Sequence, residues 1–393
     1  MNIDEYFLLD PLHNSFRFKK RWQTGIQIGL DGEEVRSALF TWPRRSIGMT
    51  VFPTNAGDLN YLKRILFKSL HLIWGIPFWQ GKTILTSQAS SGQKILNVGS
   101  TQYRNFEVGG LCLLFISRSS KEVGTIASFT NTQITLVANL GSTWPAQTEV
   151  YPMMKSKIQA QQEIDLINPS MGDLAIVATE DFDDGITRHV PSIVDFPTYK
   201  YIPVFHYQPR YGQLKQILYR PYDYLAFLGK SYSQTHYGET VLPLGGDYFI
   251  VGRNVIQQYL DFFDYHKGRW GQFWVPTHQR DIVVTVAFGV TDTVLTIDPI
   301  EYPTYWGGSQ AARFIVFRWP DNTLICKKII NSDTTTITLD SAIGKACANP
   351  AELIISFLLI SRFDMDEIEI DYLLVDEGTT NLRFYSLPQE TPA

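Results

Sequence analysis

The chain of 393 residues runs twice through a similar order of segments, and this constrains its fold more than any other feature. Residues 65–140 and 262–343 each begin in an apolar helical pattern that leads into a tryptophan-rich motif. The motif reads Trp-Gly-Ile-Pro-Phe-Trp at 74–79 and Trp-Gly-Gln-Phe-Trp at 270–274. Aligning the last tryptophan of each gives an offset of 195 residues (274 − 79), about half the chain. Repetition at this distance predicts two related domains.

Downstream segments extend the similarity. Residues 113–118 (Leu-Leu-Phe-Ile-Ser-Arg) align with 314–318 (Phe-Ile-Val-Phe-Arg), and 133–136 align with 336–339. We therefore predict a mainly β protein with two homologous β-barrel or β-sandwich units, each with one α-helix, related by internal duplication. The predicted boundaries are 1–179 for the first unit, 180–211 for a connector and 212–393 for the second unit.

Turn and capping signals place the first elements of the first unit. An Asp-Gly pair within 29–32 predicts a hairpin between 22–28 and 34–40. A strand is expected at 47–52, and Asp58 is the predicted N-cap of the helix that follows. Short β segments separated by Gly, Asn and Ser are then predicted at 83–86, 94–98, 111–117, 124–129, 133–137 and 149–155.

The second unit repeats this order. A helix is predicted from Asn254 to His266, and Gly268 is expected in the left-handed conformation just past its end. Two long strands at 353–362 and 367–374 are expected to form a closing pair, with counterparts near 150–158 and 163–167. Shorter strands are predicted at 282–287, 294–297, 313–317, 324–329 and 335–339.

The connector contains a proline every six residues, at 191, 197, 203 and 209. Proline has a fixed φ and no backbone N–H, so it does not suit a central strand. The segment is expected to run extended over a surface, either as a strap or as an ordinary linker. Its many aromatic residues favour docking over free motion.

Composition points to protein partners. Charged residues make up 19% of the chain and aromatic residues 13%, which is typical of large faces buried against other proteins. The net charge of −5 has no basic stripe, so binding to nucleic acid or to an anionic membrane is not predicted. We also expect no membrane span and no signal peptide, since apolar runs are short and the N-terminal segment is acidic.

Three cysteines without a C-x-x-C pair are interpreted as reduced core thiols: Cys112, Cys326 and Cys347.

No motif predicts a catalytic, cofactor or metal site. The seven histidines lack metal-ligand spacing, and His266 is interpreted as a charged cap at a helix C-terminus. Gly307-Gly308-Ser309 lacks the flanks of a nucleophile turn. Two acidic groups leave a calcium site open as the less favoured alternative: Glu180, Asp181, Asp183 and Asp184, and Asp364, Asp366, Glu367, Glu369 and Asp371.

The second acidic group alternates with apolar residues. Glu367, Glu369 and Asp371 are separated by Ile368 and Ile370, so the carboxylates are expected on the outward face of one strand. That face is expected to meet solvent or another subunit. The tryptophans recur at matching places in both units, which favours core packing over a single aromatic-lined cleft.

Two segments resemble the tail-tip and baseplate structural proteins of tailed bacteriophages, of the distal tail or baseplate hub type. Residues 32–36 (Gly-Glu-Glu-Val-Arg), followed by Pro43-Arg44-Arg45, match an early G-x-E-x-R and P-R pattern. Phe263, Gly268-Arg269, Phe273-Trp274, Pro276 and Asp281 match a later F-x-n-G-R-x-x-x-F-W-x-P pattern. The first unit departs from the second pattern, because Leu72-Ile73 stands where the Gly-Arg pair is expected.

The resemblance implies a non-enzymatic virion component at the end of the tail tube, assembled in the host cytoplasm. Its implied partners are further copies of the chain in a ring of three or six, and the tube, hub and fibre proteins. No cofactor is implied. The resemblance and the tryptophan motifs together give eight candidate structural or interface residues: Arg36, Arg44, Arg45, Trp74, Trp79, Arg269, Trp270 and Trp274.

Two other functions stay open. A carbohydrate-binding or polysaccharide-degrading tail component would use exposed aromatic residues beside a carboxylate pair. A cellular β-sandwich adhesin is the third hypothesis, which the expected lack of a secretion signal disfavours.

Overall fold

A computed structural model describes residues 3–12, 14–181, 185–227, 230–235, 237–299, 301–307, 309–390 and 392. Strands account for 43% and helices for 12% of the chain, so the predicted mainly β class is confirmed. The α-helices are α1 (Ala56–Ser69), α2 (Arg253–His266) and the single turn α3 (Tyr302–Tyr305). Short 3₁₀ helices lie at Trp79–Gly81, Ile193–Asp195, Ala311–Arg313, Pro350–Glu352 and Pro388–Glu390.

Among the described residues, fourteen strands precede the connector. In chain order they are β1 (Glu5–Tyr6), β2 (Arg17–Arg21), β3 (Thr24–Ile28), β4 (Glu34–Ala38), β5 (Arg44–Val51), β6 (Trp74–Pro77), β7 (Thr83–Ile84), β8 (Ile95–Asn97), β9 (Leu111–Phe115), β10 (Lys121–Thr130), β11 (Gln133–Leu136), β12 (Glu149–Ile158), β13 (Asp165–Asn168) and β14 (Met171–Glu180).

The connector and the second half add fourteen more. They are β15 (Thr198–Tyr199), β16 (Ile202–Pro203), β17 (Lys215–Gln216), β18 (Asp223–Phe227), β19 (Lys230–Gln234), β20 (Leu244–Val251), β21 (Phe273–Pro276), β22 (Val294–Thr296), β23 (Phe314–Arg318), β24 (Leu324–Ser332), β25 (Thr336–Leu339), β26 (Ile354–Phe363), β27 (Glu367–Tyr372) and β28 (Glu377–Ser386).

The strand pairings of the two halves follow the same order. In the first half β6 pairs with β12, β12 with β9, β9 with β10, β10 with β11, and β11 with β8. In the second half β21, β26, β23, β24, β25 and β22 pair in the same succession. β10 and β24 each carry a register shift at their pairing with the next strand, between Ile126 and Ser128 and between Ile329 and Asn331. We call residues counterparts when they hold the same place in the two schemes.

One sheet crosses from the first half to the second. Its antiparallel order is β13-β14-β5-β2-β27-β28-β20-β17. The first-half strand β2 lies between β5 of its own half and β27 of the other. α1 and α2 cover the inner face of this sheet, and the main buried cluster contains residues of both halves, including Leu62, Trp74, Phe263 and Phe384.

The strand register corrects the alignment of the tryptophan motifs. Trp74 lies opposite Ser156, and Phe273 lies opposite Ser361, so Trp74 and Phe273 are counterparts. Matching Trp79 with Trp274 was wrong, because Trp79 lies in the 3₁₀ turn after β6 whereas Trp274 lies inside β21. Side-chain identity suggested that match, but backbone pairing decides position.

Two other alignments also change. The counterpart of Arg318 is Phe115 and not Arg118. Phe115 ends the pairing of β9 with β12, as Arg318 ends the pairing of β23 with β26. The expected closing pair is wrong as well: in the described part of the chain β26 and β27 each pair with β28, a strand that was not predicted. Residues 282–287 form only isolated bridges, at Ile282 and Val284.

In the first unit the predicted hairpin is confirmed, and the predicted N-cap of the helix is corrected. The hairpin around 29–32 is β3–β4. The N-cap of α1 is Asn55 rather than Asp58: the Asn55 side chain accepts a hydrogen bond from Asp58 N at 2.9 Å. Asp58 instead lies in the first helical turn, where a carboxylate interacts favourably with the helix dipole.

The end of α2 matches its prediction. Gly268 has φ +66°, and Lys267 before it is also left-handed. His266, however, is not a charged cap. It is buried, its Nδ1 donates to Phe262 O at 2.7 Å, and burial lowers its pKa to about 3. The ring is neutral at pH 7 because desolvation outweighs any gain from the helix dipole.

The connector is docked in places. Phe196 packs on Phe262 at 5.1 Å, and Val204 forms a parallel bridge with Trp274. Phe205 N donates to Trp274 O at 2.8 Å, as Phe7 N donates to Gly75 O at 3.0 Å in the first half. Other connector aromatics, such as Tyr201, are fully exposed.

Acid should destabilise the fold through its buried histidines. The pKa of His266 falls from its ordinary value near 6.5 to about 3 on folding, so its contribution is complete above pH 6.5 and is lost as pH falls below it. Between about pH 7.5 and about pH 5.5, His266→Gln should reduce the pH dependence of the unfolding free energy by about 1 kcal/mol. Urea unfolding measures this. The control is His71→Gln. His71 is exposed just after α1, the helix of the first half, so its substitution should leave the pH dependence of the unfolding free energy unchanged.

Candidate assembly interface

The two halves meet where β2 pairs with β27. The register runs antiparallel from Arg17 opposite Asp371 to Arg21 opposite Glu367, five residue pairs in all. β2 also pairs with β5 over the same five residues, so both of its edges are used. We call the contact between β2 and β27, with α2 beneath it, the joint.

The outer face of the joint is ionic. Arg17 Nε lies 3.1 Å from Asp371 Oδ1, and Lys19 Nζ contacts both Glu367, at 3.3 Å, and Glu369. The prediction that these carboxylates share the outward face of a strand is confirmed. Such exposed pairs stabilise by only about 0–1 kcal/mol each, and because the outward residues of β2 are basic and those of β27 acidic, they favour the pairing of these two strands.

The inner face of the joint holds a more buried charge pair. Lys20 Nζ lies 2.5 Å from Asp264 Oδ2 on α2, and Trp22 Nε1 donates to Asp264 Oδ1 at 3.0 Å. Both charged side chains are mostly buried. This contact ties β2 of the first half to the helix of the second.

The Gly-Arg motif acts through its backbone. Asp366 Oδ1 accepts from Arg269 N at 3.0 Å, and the same carboxylate accepts from Thr24 N and Thr24 Oγ1. A Cβ on Gly268 would lie 2.7 Å from Asp366 Oδ1, so only glycine fits beside this carboxylate. Arg269 is therefore an anchor by its amide, whereas its Nε has no hydrogen-bond partner among the described residues.

The G-x-E-x-R segment binds the hairpin β3–β4 to the second half. Glu34 is buried and makes a two-pronged ion pair with Arg362, at 2.7 and 2.8 Å. Arg36 Nη2 lies 2.5 Å from Glu390 Oε2. Gly32 has φ +88°, and a Cβ there would lie 2.6 Å from Tyr237 Cε1. Glu34 was not among the candidates, although the motif contained it.

Arg45 is the centre of a buried ionic network. It makes two bonds to Glu180, at 3.0 and 2.6 Å, and two to Glu107, both at 2.8 Å. Arg188 of the connector pairs with Glu180 at 2.7 Å. Burial raises the pKa of Glu180, but the two arginines outweigh it and hold that pKa below its ordinary value. Arg44, the neighbouring candidate, is exposed and stacks over Phe40 at 5.2 Å.

Three of the four candidate tryptophans are core residues. Trp74 and Trp274 are fully buried, and Trp274 Nε1 donates to Tyr199 O at 3.0 Å. Trp79 packs on Tyr151 at 4.9 Å. Trp270 differs, because it is 42% exposed and lies 5.2 Å from Lys267 Nζ. The structure thus brings Arg36, Arg45 and Arg269 to contacts that hold segments together but does not gather the eight candidates into one surface.

A cavity of about 690 Å³ lies beside the joint, lined among others by Trp22, Trp42, Tyr103, His189 and Asp261. Burial raises the pKa of Asp261, against the effect of Lys20, Gln257 and His189. The lining combines aromatic side chains with charged ones such as Lys20, Arg45 and Asp264, and concave sites are where proteins bind small molecules.

Metal and membrane features were also sought. Within the described ranges no group of three or more His, Cys, Asp and Glu side chains is arranged to hold a metal ion. Asp183 and Asp184 of the acidic run, as well as His236 and Gly308, lie outside those ranges. No helix in the described part of the chain is long and apolar enough to span a bilayer. The three cysteines are free.

Comparison with known proteins adds no identity. No protein-family model matches the chain, and no curated protein is similar to it.

The buried network around Arg45 predicts that removing the charge of Glu180 strongly lowers the free energy of unfolding. Glu180→Gln removes the carboxylate between two guanidinium groups while keeping its size, which should lower the unfolding free energy by about 3 kcal/mol or more. Chemical denaturation measures the change. The matched control is Asp181→Asn, whose pair with Lys157 at 3.3 Å is exposed and should be worth less than about 1 kcal/mol. Equal effects of the two substitutions would contradict a stabilising role for the network.

Proposed function

We propose that this chain is a non-enzymatic structural component of a phage tail tip or baseplate, which joins the tail tube to the hub or fibres through ring-forming subunit interfaces. The observation that carries the proposal is the joint, where one half extends the sheet of the other through an ionic register. A contact of this kind is the means by which β proteins build extended assemblies. The phage resemblance of the G-x-E-x-R and Gly-Arg segments supplies the setting, and both segments hold the halves together.

We further propose that the two halves are homologous barrel-like or sandwich units that arose by duplication. The matching pairing order and the matching register shifts of β10 and β24 support this. Under this proposal the domain boundaries follow the predicted division into 1–179, 180–211 and 212–393. Tail tubes are sixfold and central fibres threefold, so a trimer of two-unit chains would present six similar surfaces to the tube and three chains to the fibre.

Electron microscopy of the intact virion tests the location. The protein is expected at the tail tip or baseplate in three or six copies per particle. A phage from which this protein is deleted should produce no complete, infectious tails, whereas deletion of an unrelated non-structural gene is the control. Complete, infectious tails without the protein would overturn the structural assignment.

The cavity beside the joint favours carbohydrate binding as the second candidate function. Trp42 is half-buried and Tyr103 half-exposed, which leaves aromatic faces open for stacking on sugars. Under this alternative Trp42→Ala should abolish binding of host-surface polysaccharide, as measured by isothermal calorimetry. Ring formation by wild-type protein that binds no polysaccharide would favour the structural function instead.

A further inference from the structure

The central sheet ends in two exposed edges. At one end, residues 215–219 pair with β20 and its preceding residues on one side only, within the described residues. At the other end, β13 pairs only with β14, and residues 161–164 before it form no ladder in the described structure. Unpaired strand edges are sites where a further strand adds.

The first edge is the counterpart of β2. β5 and β20 pair with β14 and β28 in the same register, which makes Gly245 the counterpart of Gly48. Lys215 lies opposite Gly245, as Arg17 lies opposite Gly48. At the far end Tyr219 bridges Val241, as Arg21 pairs with Arg44. Residues 215–219 therefore match 17–21 position by position.

The second edge is the counterpart of β27. Leu166 lies opposite Gly172, as Tyr372 lies opposite Gly378, and in each strand the preceding residue is an aspartate, Asp165 or Asp371. The two glycines also have the same surroundings. A Cβ on Gly172 would lie 2.7 Å from Asp165 O, and one on Gly378 would lie 3.1 Å from Asp371 O. The sequence Glu-Ile-Asp stands at 163–165 and again at 369–371.

We propose that residues 215–219 of one copy of this chain add to residues 161–166 of a second copy, head to tail, in the register with which β2 pairs with β27. This inference rests on the proposed ring-forming function and assigns the surface that forms the ring. Each free edge is the counterpart of one strand of the joint, so the chain itself contains the template of the contact. The second copy is the partner because it carries the complementary edge.

Charge complementarity supports the contact. The template would put Lys215 opposite Asp165 and beside Glu163, as Arg17 lies opposite Asp371 and beside Glu369. Lys215 is exposed and, like Asp165 and Glu163, forms no salt bridge within the described chain. The pairing would bring opposite charges together at this position.

The inner face supplies a second, independent match. α1 and α2 share a length and a buried pattern, and their N-caps Asn55 and Gly252 lie 197 residues apart (252 − 55). By that offset the counterpart of Asp264 is Phe67 (264 − 197). The counterpart of Lys20, the partner of Asp264 in the joint, is Leu218.

Both residues of this second pair are apolar and open to solvent. Phe67 is 94% exposed on α1, and Leu218 is 75% exposed between β17 and the bridge at Tyr219. In the proposed contact Leu218 would meet Phe67 of the next copy, so an apolar pair would replace the ion pair between Lys20 and Asp264. Exposed apolar residues on a strand edge are otherwise an aggregation hazard, and a defined partner removes that hazard.

The two surfaces differ, so the contact is heterologous. One copy offers 215–219 with Leu218, and the next offers 161–166 with Phe67. A repeated contact of this type closes into a ring when its rotation divides a full turn. Until the ring closes, an open chain of joined copies has one free edge of each kind, one at either end.

The test uses two variants that each block one surface of the full chain. Leu218→Asp and Phe67→Asp place a charge where an apolar contact is proposed, and each alone should be monomeric when wild-type protein is oligomeric. Mixed in equal amounts, the two should form a dimer that contains one copy of each and grows no further, since only one intact pair of surfaces remains. Size-exclusion chromatography with light scattering and native mass spectrometry read the result. Val294→Asp, at an exposed apolar residue of β22, is the matched control and should assemble as wild type.

The outcomes separate this inference from the proposed function. Formation of the mixed dimer shows that both variants are folded and supports the head-to-tail contact. If all the variants still form the wild-type oligomer, this contact is wrong while the ring-forming function stands. A monomeric wild type up to its solubility limit would overturn both, and monomers in the mixture despite an oligomeric wild type would overturn the pairing of these two surfaces.

Discussion

The structure depends on one strand with partners on both sides. β2 pairs with β5 of its own half and with β27 of the other, and without it the central sheet would be two separate sheets. Backbone hydrogen bonds along five residue pairs hold this contact, while the charges of Arg17 and Lys19 favour the acidic strand β27 as the partner. The charge pair between Lys20 and Asp264 adds the helix beneath to the same contact. Strand pairing and buried ions therefore act together at one place.

The motifs that gave the phage resemblance also hold the two halves together. Glu34 and Arg36 reach from the first hairpin to Arg362 and Glu390, and Asp366 binds the amides of Thr24 and Arg269. Each motif also contains a glycine that no larger residue can replace, because the neighbouring side chain lies too close. The motifs describe how the halves are held together, and under the proposed function that rigidity would let a ring transmit force between tube and fibre.

Patterns confined to a few neighbouring residues were predicted well, and strands with weak patterns were missed. The hairpin at 29–32 and the end of α2 follow from glycine and capping chemistry that acts over three or four residues. β28 was missed because its buried face includes Gly378, Thr380 and Ser386, which do not look like core residues in a sequence. β20 was missed in a similar way, since Gly245 and Gly246 resemble a turn. Among the candidate residues Arg45 was identified, but its partners Glu107 and Glu180 lie 62 and 135 residues away.

The sequence by itself determined the mainly β class, the positions of the two long helices and the outward alternation of Glu367, Glu369 and Asp371, because these depend on periodicity and on local capping. Only the tertiary structure decided that β2 crosses to the other half, that Phe273 rather than Trp270 matches Trp74, and that His266 is neutral. Register and burial arise from contacts between residues far apart in the chain. No local pattern contains that information, since backbone pairing and desolvation are set by whichever segments the fold brings together.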